Sequence, residues 1–454
     1  MGGGWRLRDR RAAQLSWARP EMTRRPGSLE RRHSPYRWVI LLLSTITAFV
    51  LVGFPTTGLS AMFSEIAASL DLDMVELGWI WGVSSAMGIV TALIGGIALD
   101  HYGTRRTLVL LCLATGLSGA LRGFAFDFWS LFAFSFLHGM FWPVMPMTFA
   151  KLNREWFASR QLGFAVGVMS TGFASGLMLG SRFCATVLSP LLGGWRATLL
   201  VLGAGGIILA LLWLVAHPPS PPSARRRLSA RRIARDLRVI ARFREFWVIA
   251  LSVLAVVGLF RGLLGYVPTY LRELGWSAVD ADSAITVYFL VSLISVAPIT
   301  RLSDRLGDRK RVMAVGSLLM SAGVALMAFV GADFWGVMLA MVLSGCCIDA
   351  FLALKSVSLT EIEGLELGLA GSALGFGNVL QNIGSTFIPP LGNMVSPFGL
   401  NLPFLFWAGW GVAAAFALLS YRRGRPAASR LARGSVLAGA SHRNPGRKSL
   451  PDRQ

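Results

Sequence analysis

Residues 95–106 read GGIALDHYGTRR, and residues 299–310 read ITRLSDRLGDRK. In both stretches an Asp ends an apolar run, a Gly follows three residues later, and basic residues follow that Gly. The two acidic residues, Asp100 and Asp304, are 204 positions apart. The same polar pattern, placed twice after apolar runs, indicates that the chain contains an internal duplication.

A second pair of segments supports the duplication at nearly the same offset. The tripeptide Asp-Phe-Trp occurs at 127–129 and at 333–335, 206 positions apart, and each copy opens the fourth apolar run of its half. His138-Gly139 and Ser344-Gly345 repeat that offset. Duplicated units of this kind are found in many secondary transporters.

The composition places the chain in a membrane. Of its 454 residues, 54% are hydrophobic and 15% are charged, and the mean hydropathy is +0.58. Apolar runs of about 20 residues are long enough to cross a bilayer as helices. We predict an all-α polytopic protein with two pseudo-symmetric six-helix bundles. The twelve predicted spans are 38–60, 76–99, 107–124, 128–150, 162–187, 197–216, 246–270, 283–303, 311–330, 334–354, 369–395 and 402–421.

The formal charge of +21 is explained by topology. Arg residues lie in the tails and in alternate short loops beside apolar runs, whereas the opposite loops are acidic, and this distribution is typical of the positive-inside rule. It argues against a nucleic-acid partner. We therefore predict a multi-pass protein of the plasma (inner) membrane with both termini in the cytoplasm.

One long polar segment divides the chain, since HPPSPPSARRRLSARRIARDLRVIARFRE follows the sixth predicted span. The first basic tail has Met22 as a second possible start. The predicted segments are a basic tail over 1–36, a six-helix bundle over 37–216, a basic central loop over 217–245, a second six-helix bundle over 246–421 and a basic tail over 422–454.

The repeated segment, the six-plus-six organisation and the basic central loop resemble the major facilitator superfamily. Its signature is Gly-x-Leu-(Ala/Ser)-Asp-(Arg/Lys)-x-Gly-(Arg/Lys)-(Arg/Lys). The first copy fits at Gly96, Asp100, Gly103, Arg105 and Arg106, but has Ala98, His101 and Thr104 where other residues are usual. The second copy keeps Leu302, Ser303, Asp304, Arg305, Gly307, Arg309 and Lys310, and departs at Thr300 and Asp308.

The resemblance implies that these signature residues form a conformational gate. A carboxylate at a helix end can bond backbone N–H groups of a neighbouring helix and pair with Arg. The expectation is a cytoplasmic latch between Asp100 and Arg106, with a weaker counterpart at Asp304 that also involves Arg305, Gly307 and Arg309. The alternative is a solvated ion pair at a topological stop.

Ionisable residues inside spans are costly and usually functional. His138 lies about ten residues into the fourth predicted span, and helical spacing would place Phe141, Trp142 and Met145 on its face. His138 and Trp142 are therefore candidates for substrate binding, and His138 also for proton coupling. The alternative is a neutral His bonded to a neighbouring backbone group or Ser.

Arg182 and Arg261 lie within the fifth and seventh predicted spans and need an anionic partner, water or substrate. Both are candidate substrate-binding residues, although Arg182 could instead extend its side chain to the membrane surface. Asp349, in the tenth span, is expected to neutralise one Arg or to carry the coupling proton. Lys151 and Lys355 are expected at the membrane interface.

The eleventh predicted span carries Asn378, Gln381, Asn382 and Ser385 on one helical face. The first three are candidate substrate contacts in a water-filled cavity, and the alternative is hydrogen bonding between packed helices. No nucleotide, zinc or nucleophile motif is present, so no enzyme activity and no cofactor are expected. An ion or solute gradient would supply the energy.

The charges inside the spans favour a small organic anion as substrate, with possible proton symport, in a monomer that has the bilayer as its other partner. The first alternative is a proton-coupled exporter of drugs or lipophilic cations, although the Gly-Pro motif usual in such exporters is absent from 167–172. An alternative of another class is a sensor or scaffold that does not transport.

Overall fold

The computed structural model describes residues 34–216, 230–362, 365 and 369–420, without the side chains of residues 89, 92–98, 100, 159–160 and 230–234. The described part is helical and contains no strand. The predicted tails, with Met22, and residues 217–229 of the predicted central loop lie outside it, apart from the short stretch that precedes the first helix.

The helices follow the predicted order of spans. Within the described part of the chain, ten helices are long and apolar enough to cross a membrane. They are span 1 (Arg37–Ala61), span 3 (His101–Phe124), span 4 (Phe128–Trp156), span 5 (Gln161–Leu192), span 6 (Trp195–Ala216), span 7 (Arg244–Glu273), span 8 (Ala278–Leu306), span 9 (Arg309–Val330), span 10 (Phe334–Thr360) and span 12 (Leu402–Ser420).

Two further helical segments complete the predicted twelve. Span 2 consists of Met74–Ala86 and the helix that resumes at Gly88, and it is interrupted at Met87. Span 11 is Ala370–Asn393, whose Gly, Asn and Gln residues lower its hydropathy. Span 11 thus differs from the ten by its polar face, whereas the side chains of residues 89, 92–98 and 100 of span 2 lie outside the described part.

The two halves have equivalent caps where the fourth span of each half begins. The side chain of Asp127 accepts a hydrogen bond from the Ser130 N–H at 2.8 Å, and that of Asp333 accepts one from the Gly336 N–H at 2.6 Å. A side-chain acceptor at this position satisfies an N–H that the helix leaves free. The repeated Asp-Phe-Trp segments are therefore the starts of spans 4 and 10.

The two sides of the bundle differ in how the halves meet. We call the side at which span 1 begins the basic side, and the opposite side the far side. Near the far side span 2 packs on span 11: a Cβ added to Gly82 would lie 2.2 Å from the Thr386 carbonyl oxygen. The Asn393 side chain donates to the Met74 carbonyl at 2.6 Å. The halves are closed there.

The same helix faces are open toward the basic side. Gly375 lies five turns before Asn393 on one face of span 11, and Gly163 lies five turns before Ser181 on one face of span 5. Ser181 is 3.5 Å from Thr286 of span 8, but a Cβ added to Gly163 or Gly375 would meet no atom within 4 Å. The central space therefore opens to the basic side.

A helix over Ala230–Ile240 occupies part of the predicted central loop. Its Asp236 carboxylate lies 3.4 Å from the Ser372 hydroxyl at the start of span 11, and Ile240 is fully buried. The helix Ala230–Ile240 thus packs against the second half.

Candidate substrate site between the two halves

Arg261 of span 7 is held at the centre of the molecule by span 2. Its guanidinium carbon lies 3.9 Å from the centre of the Trp81 ring, and the Trp81 indole N–H donates to the Arg261 carbonyl at 2.8 Å. Nη2 is 3.5 Å from the Ser85 hydroxyl. Arg261 thereby contacts the opposite half through a cation–π interaction and polar contacts.

The Arg261 guanidinium has an N–H donor that is not used in a hydrogen bond. The residue is 9% exposed, and its Nε has no hydrogen-bond partner. None of the ion pairs formed by the described residues includes it. Because Arg keeps its charge in proteins, a buried guanidinium in this state is suited to bind an anion.

Lys355 of span 10 is a second buried cation in this region. Its ammonium group donates to the Asn378 side-chain oxygen at 3.0 Å and to that of Gln381 at 2.6 Å. The residue is 6% exposed, so the expected interfacial position is wrong. Lys355 lies on the buried stripe of span 10, one turn after Phe351, and the amides of span 11 replace water around it.

Span 11 connects the surroundings of the two cations. The Asn382 side chain lies against Gly88 of span 2, where an added Cβ would be 2.8 Å from its Nδ2. Gly88 follows Ser85, the contact of Arg261, by about one turn. Asn378, Gln381 and Asn382 therefore extend along the interface of the halves, whereas the Ser385 hydroxyl bonds its own helix at the Gln381 carbonyl at 3.0 Å.

His138 does not join this region. The helix that contains it ends at Gly139, and a single 3₁₀ turn over Trp142–Val144 precedes the next helix. The expected common face of His138, Phe141 and Trp142 is therefore wrong, since helical spacing does not continue through the break. His138 is 8% exposed and lies inside the first half, with Nδ1 3.4 Å from the Ser118 hydroxyl.

Trp142 lies at the edge of the central site. Its indole N–H donates to the Ser84 carbonyl at 3.2 Å, and Ser84 adjoins the Ser85 that contacts Arg261. Of the two candidates in span 4, His138 and Trp142, only Trp142 thus lies near Arg261.

Arg182 belongs to the far-side contact instead. Its Nη1 donates to the Val279 carbonyl at 2.5 Å and to the Ser283 hydroxyl at 3.0 Å, and so joins span 5 to span 8. The guanidinium therefore reaches the start of span 8, toward the far side, and its described contacts do not include Arg261. Asp349 pairs with neither Arg, and its carboxylate accepts from the Ser292 hydroxyl at 2.6 Å.

Arg272 of span 7 closes the far side near Arg182. Its Nη2 lies 2.8 Å from the Asp282 carboxylate, which is fully buried. Its Nη1 reaches into the first half and donates to the Ala61 carbonyl. We name the contacts of Arg182 and Arg272 the far-side gate. The sequence did not predict this role, because Arg272 and Asp282 both fall in the loop between the predicted spans 246–270 and 283–303.

The first signature copy forms the turn between spans 2 and 3. Gly103 has a φ of 75°, which other residues rarely adopt. Thr104, which departs from the family pattern, donates to the Glu155 carboxylate at 2.6 Å, and Arg105 donates to the Leu214 carbonyl. Arg106 is exposed. The Gly96 backbone is helical, but the Asp100 side chain lies outside the described part, so the latch stays a prediction.

The second signature copy makes its contacts within its own half. Gly307 has a φ of 64° at the end of span 8. Asp304 is exposed at 69% of its side chain and lies 3.9 Å from Arg309, which also pairs with Glu361. Arg305 is exposed. No contact of Asp304 with the first half occurs among the described residues.

Two bundles of six spans that meet on one side and part on the other, with buried charge between them, define a membrane transporter of the alternating-access type. The sequence profile of the Major Facilitator Superfamily matches residues 45–281 and 263–446. The chain therefore belongs to the Major Facilitator Superfamily. Members of this family are transporters, in agreement with the prediction that the chain is not an enzyme.

Three relatives have names that refer to the transport of anions. The chain is 27% identical over 314 residues to the probable nitrate/nitrite antiporter NarK1 of Thermus thermophilus, covering 66% of this chain and 69% of the relative. It is 23% identical over 414 residues to the hexuronate transporter of Bacillus subtilis (strain 168), covering 85% and 96%. It is 23% identical over 415 residues to human monocarboxylate transporter 6, covering 84% and 79%.

Solved structures share the fold. A variant of the nucleoside transporter NupG superposes with a TM-score of 0.70 at 17% identity, covering 85% of this chain and 99% of that one. A bacterial homologue of the human lysosomal transporter Spinster, in an inward-facing and unoccupied conformation, superposes with a TM-score of 0.68 at 17% identity, covering 85% and 95%.

Proposed function

We propose that the protein is a secondary transporter that carries a small organic anion across the inner membrane by alternating access. The observation that supports this proposal is the state of the central cations. Arg261 and Lys355 are buried between and beside the two halves, and each has neutral hydrogen-bond partners but no carboxylate among the described residues. A carboxylate substrate would supply the missing charge.

The lack of a carboxylate partner favours binding of an anion at Arg261 and Lys355. A buried cation without a counterion is unfavourable, and the cost is recovered when an anion enters. Hydrogen bonds to charged groups contribute about 1.5–3 kcal/mol each. Trp81 and Trp142 add apolar and aromatic surface close to Arg261, which suits the hydrocarbon part of an organic anion better than a bare inorganic ion.

The basic side is assigned to the cytoplasm, because Arg and Lys accumulate in its loops. With that orientation the described conformation is inward-facing, and both termini are cytoplasmic. The far-side gate then separates the central site from the external medium. The outward-facing conformation would require the contacts of Arg182, Arg272 and Asn393 to break while the signature segments close.

The energy source is assigned to an ion gradient, with Asp349 as the residue that carries a coupling proton. Asp349 lies within span 10, six residues before Lys355, and its carboxylate is half-buried against Ser292. A carboxylate at this depth can take up and release a proton as the cavity changes sides. This mode of symport is compatible with an anion whose charge the proton would offset.

The drug-exporter alternative is disfavoured by the same charges. A lipophilic cation entering the space between the halves would meet Arg261 and Lys355, and like charges in a low-dielectric site repel strongly. No described feature favours a sensor or scaffold over transport.

The test is uptake by purified protein in proteoliposomes, with a panel of mono- and dicarboxylates, sugars, amino acids and lipophilic cations under an imposed proton gradient. Wild-type protein is expected to concentrate a carboxylate. The variant Arg261→Gln should lower the apparent affinity about 10- to 100-fold, which corresponds to the loss of one charge-assisted interaction.

The matched control is Arg311→Gln, because the Arg311 side chain is 78% exposed and its ion pair among the described residues is with the neighbouring Asp308. It removes the same charge from a surface position and should leave uptake unchanged. Uptake of a lipophilic cation in place of any anion, or normal carboxylate affinity in Arg261→Gln, would refute the proposal.

A further inference from the structure

Arg122 and His138 share a small cavity inside the first half, behind the central site. Spans 1, 3, 4 and 6 surround it, and its lining includes Leu51, Pro55, Thr115 and Gly119 as well as the two basic side chains. The cavity volume open to the centre of a water molecule is about 10 Å³. A space of this size holds one water molecule or one monatomic ion and excludes an organic substrate.

Arg122 is a buried charged residue of this cavity. Although it lies in the last turn of span 3, at the far side, it is only 3% exposed. Its Nε makes a long hydrogen bond of 3.4 Å to the Gly119 carbonyl, and it forms none of the ion pairs found among the described residues. A guanidinium cannot lose its charge here, so a counterion is required.

The geometry leaves room for that counterion between the two basic side chains. A Cβ added to Gly119 would lie 3.6 Å from the Arg122 Nη2 and 3.7 Å from the His138 Cε1. The guanidinium and the imidazole therefore face the same small space from two sides. Gly119 keeps that space open, because any larger residue would fill part of it.

A further donor lines the cavity without a partner. Thr115 is 1% exposed, and its hydroxyl has no hydrogen-bond partner among the described residues. A hydroxyl can donate to an anion as well as to a carbonyl group. The His138 ring nitrogens are engaged with the Thr115 backbone and the Ser118 hydroxyl. The donors that remain for an anion are therefore the Arg122 guanidinium and the Thr115 hydroxyl, beside the carbon edge of the imidazole.

We propose that this cavity binds a monatomic halide, with chloride as its physiological occupant, as the counterion of Arg122. The ion fixes the packing of spans 1, 3, 4 and 6 and so stabilises the first half. It is distinct from the transported anion, because the cavity is too small for an organic molecule and Arg261 lies in the other half.

The test is thermal unfolding of the purified full-length protein as chloride replaces gluconate at constant ionic strength. Wild-type protein should gain a melting-temperature increase on the order of 2 °C or more that saturates with chloride, and bromide should act similarly. Crystals soaked in bromide should show an anomalous peak between Arg122 and His138.

Two variants locate the effect. Arg122→Gln removes the charge, and Gly119→Ala narrows the cavity while its added methyl makes only ordinary contacts at 3.6–3.7 Å. Both should lose the chloride-dependent increase. Arg196→Gln is the control, because Arg196 lies on the same side of the first half but stacks on Trp195 outside the cavity. Arg261→Ala should also retain the increase, which separates this site from the transport site.

The proposal is overturned if chloride does not change the melting temperature and no bromide peak is found, since the cavity then holds water only. It is also overturned if the chloride effect persists unchanged in Arg122→Gln and Gly119→Ala, because the ion would then bind elsewhere.

Discussion

The far-side gate and the central site differ in the partners of their buried cations. At the gate, Arg272 has a buried carboxylate partner, Asp282, at 2.8 Å, and it bonds the backbone of the other half. At the centre, Arg261 and Lys355 have an indole, a hydroxyl and two amides as partners. A paired cation holds helices together, whereas a cation with neutral partners remains available to a ligand.

This difference assigns separate effects to the two regions. Changes at the centre should alter affinity for the transported anion, and changes at the gate should alter the balance between the two conformations. The following experiments test that separation by giving a central cation a partner, by obstructing closure, and by removing the partner of a gate cation.

The largest effect is expected when Lys355 receives a carboxylate. In Asn378→Asp, the new charge would lie about 3 Å from the ammonium group, and an ion pair at this depth is worth several kcal/mol. The pair would compete with substrate, so anion uptake in proteoliposomes should fall at least about 100-fold. Asn378→Ser, which keeps a neutral oxygen, is the control, and equal uptake by the two variants would contradict a substrate role for Lys355.

The next effect is steric and concerns closure of the halves. Gly82→Val places a side chain where a Cβ already lies 2.2 Å from the Thr386 carbonyl oxygen. Overpacking of this kind costs about 1–3 kcal/mol, so the conformation closed at the far side should become less populated. Distances between spin labels at the exposed positions Phe126 and Phe398 should lengthen.

Gly375→Val serves as the counterpart of that variant. Gly375 lies on the interface face of span 11 but meets no atom within 4 Å in the present conformation. Its substitution should leave the short label distance in place and slow the transition to the other conformation. A longer distance in both variants would show that valine perturbs span packing in general, and the interpretation of the open side would be wrong.

The sequence predicted the bundle well because two strong signals determine it. Apolar runs identify the spans, and the repeated Asp residues align the two halves, with caps at Asp127 and Asp333. The assignment of single polar residues was weaker. Lys355 was placed by its distance from a helix end, although its buried stripe and the amides of span 11 decide its environment.

The break in span 4 explains why His138 does not lie at the central site as predicted. The sequence gives no periodic signal for the end of the helix at Gly139, so the face shared by His138 and Trp142 was inferred from spacing that the chain does not keep. Arg122 lies near the far-side end of the predicted span 107–124, close to a loop. Its burial depends on contacts with spans 4 and 6, which no local pattern encodes.

A moderate effect is expected at the gate when Arg272 loses its carboxylate. Asp282→Asn is isosteric and keeps Arg272 bonded to Ala61, but it removes the charge partner at 2.8 Å. The free energy of unfolding should fall by about 1–3 kcal/mol, seen as a lower melting temperature. The apparent affinity for the transported anion should stay within about twofold, and a large loss of affinity would remove the distinction between gate and centre.

The smallest effect is expected at Asp304, the second copy of the repeated acidic residue. Its side chain is 69% exposed and lies 3.9 Å from Arg309 in its own half, and Arg309 has Glu361 as a closer partner. Exposed pairs contribute about 0–1 kcal/mol, so Asp304→Asn should change the free energy of unfolding by less than about 1 kcal/mol. The transport rate should change by less than about twofold. Asp100→Asn, measured beside it, tests whether the first copy carries the latch, since only a cross-half contact would shift the label distances. If Asp304→Asn shifted the label distances as strongly as Asp100→Asn, the second copy would be an equal part of the latch. That latch would form in the conformation closed on the basic side.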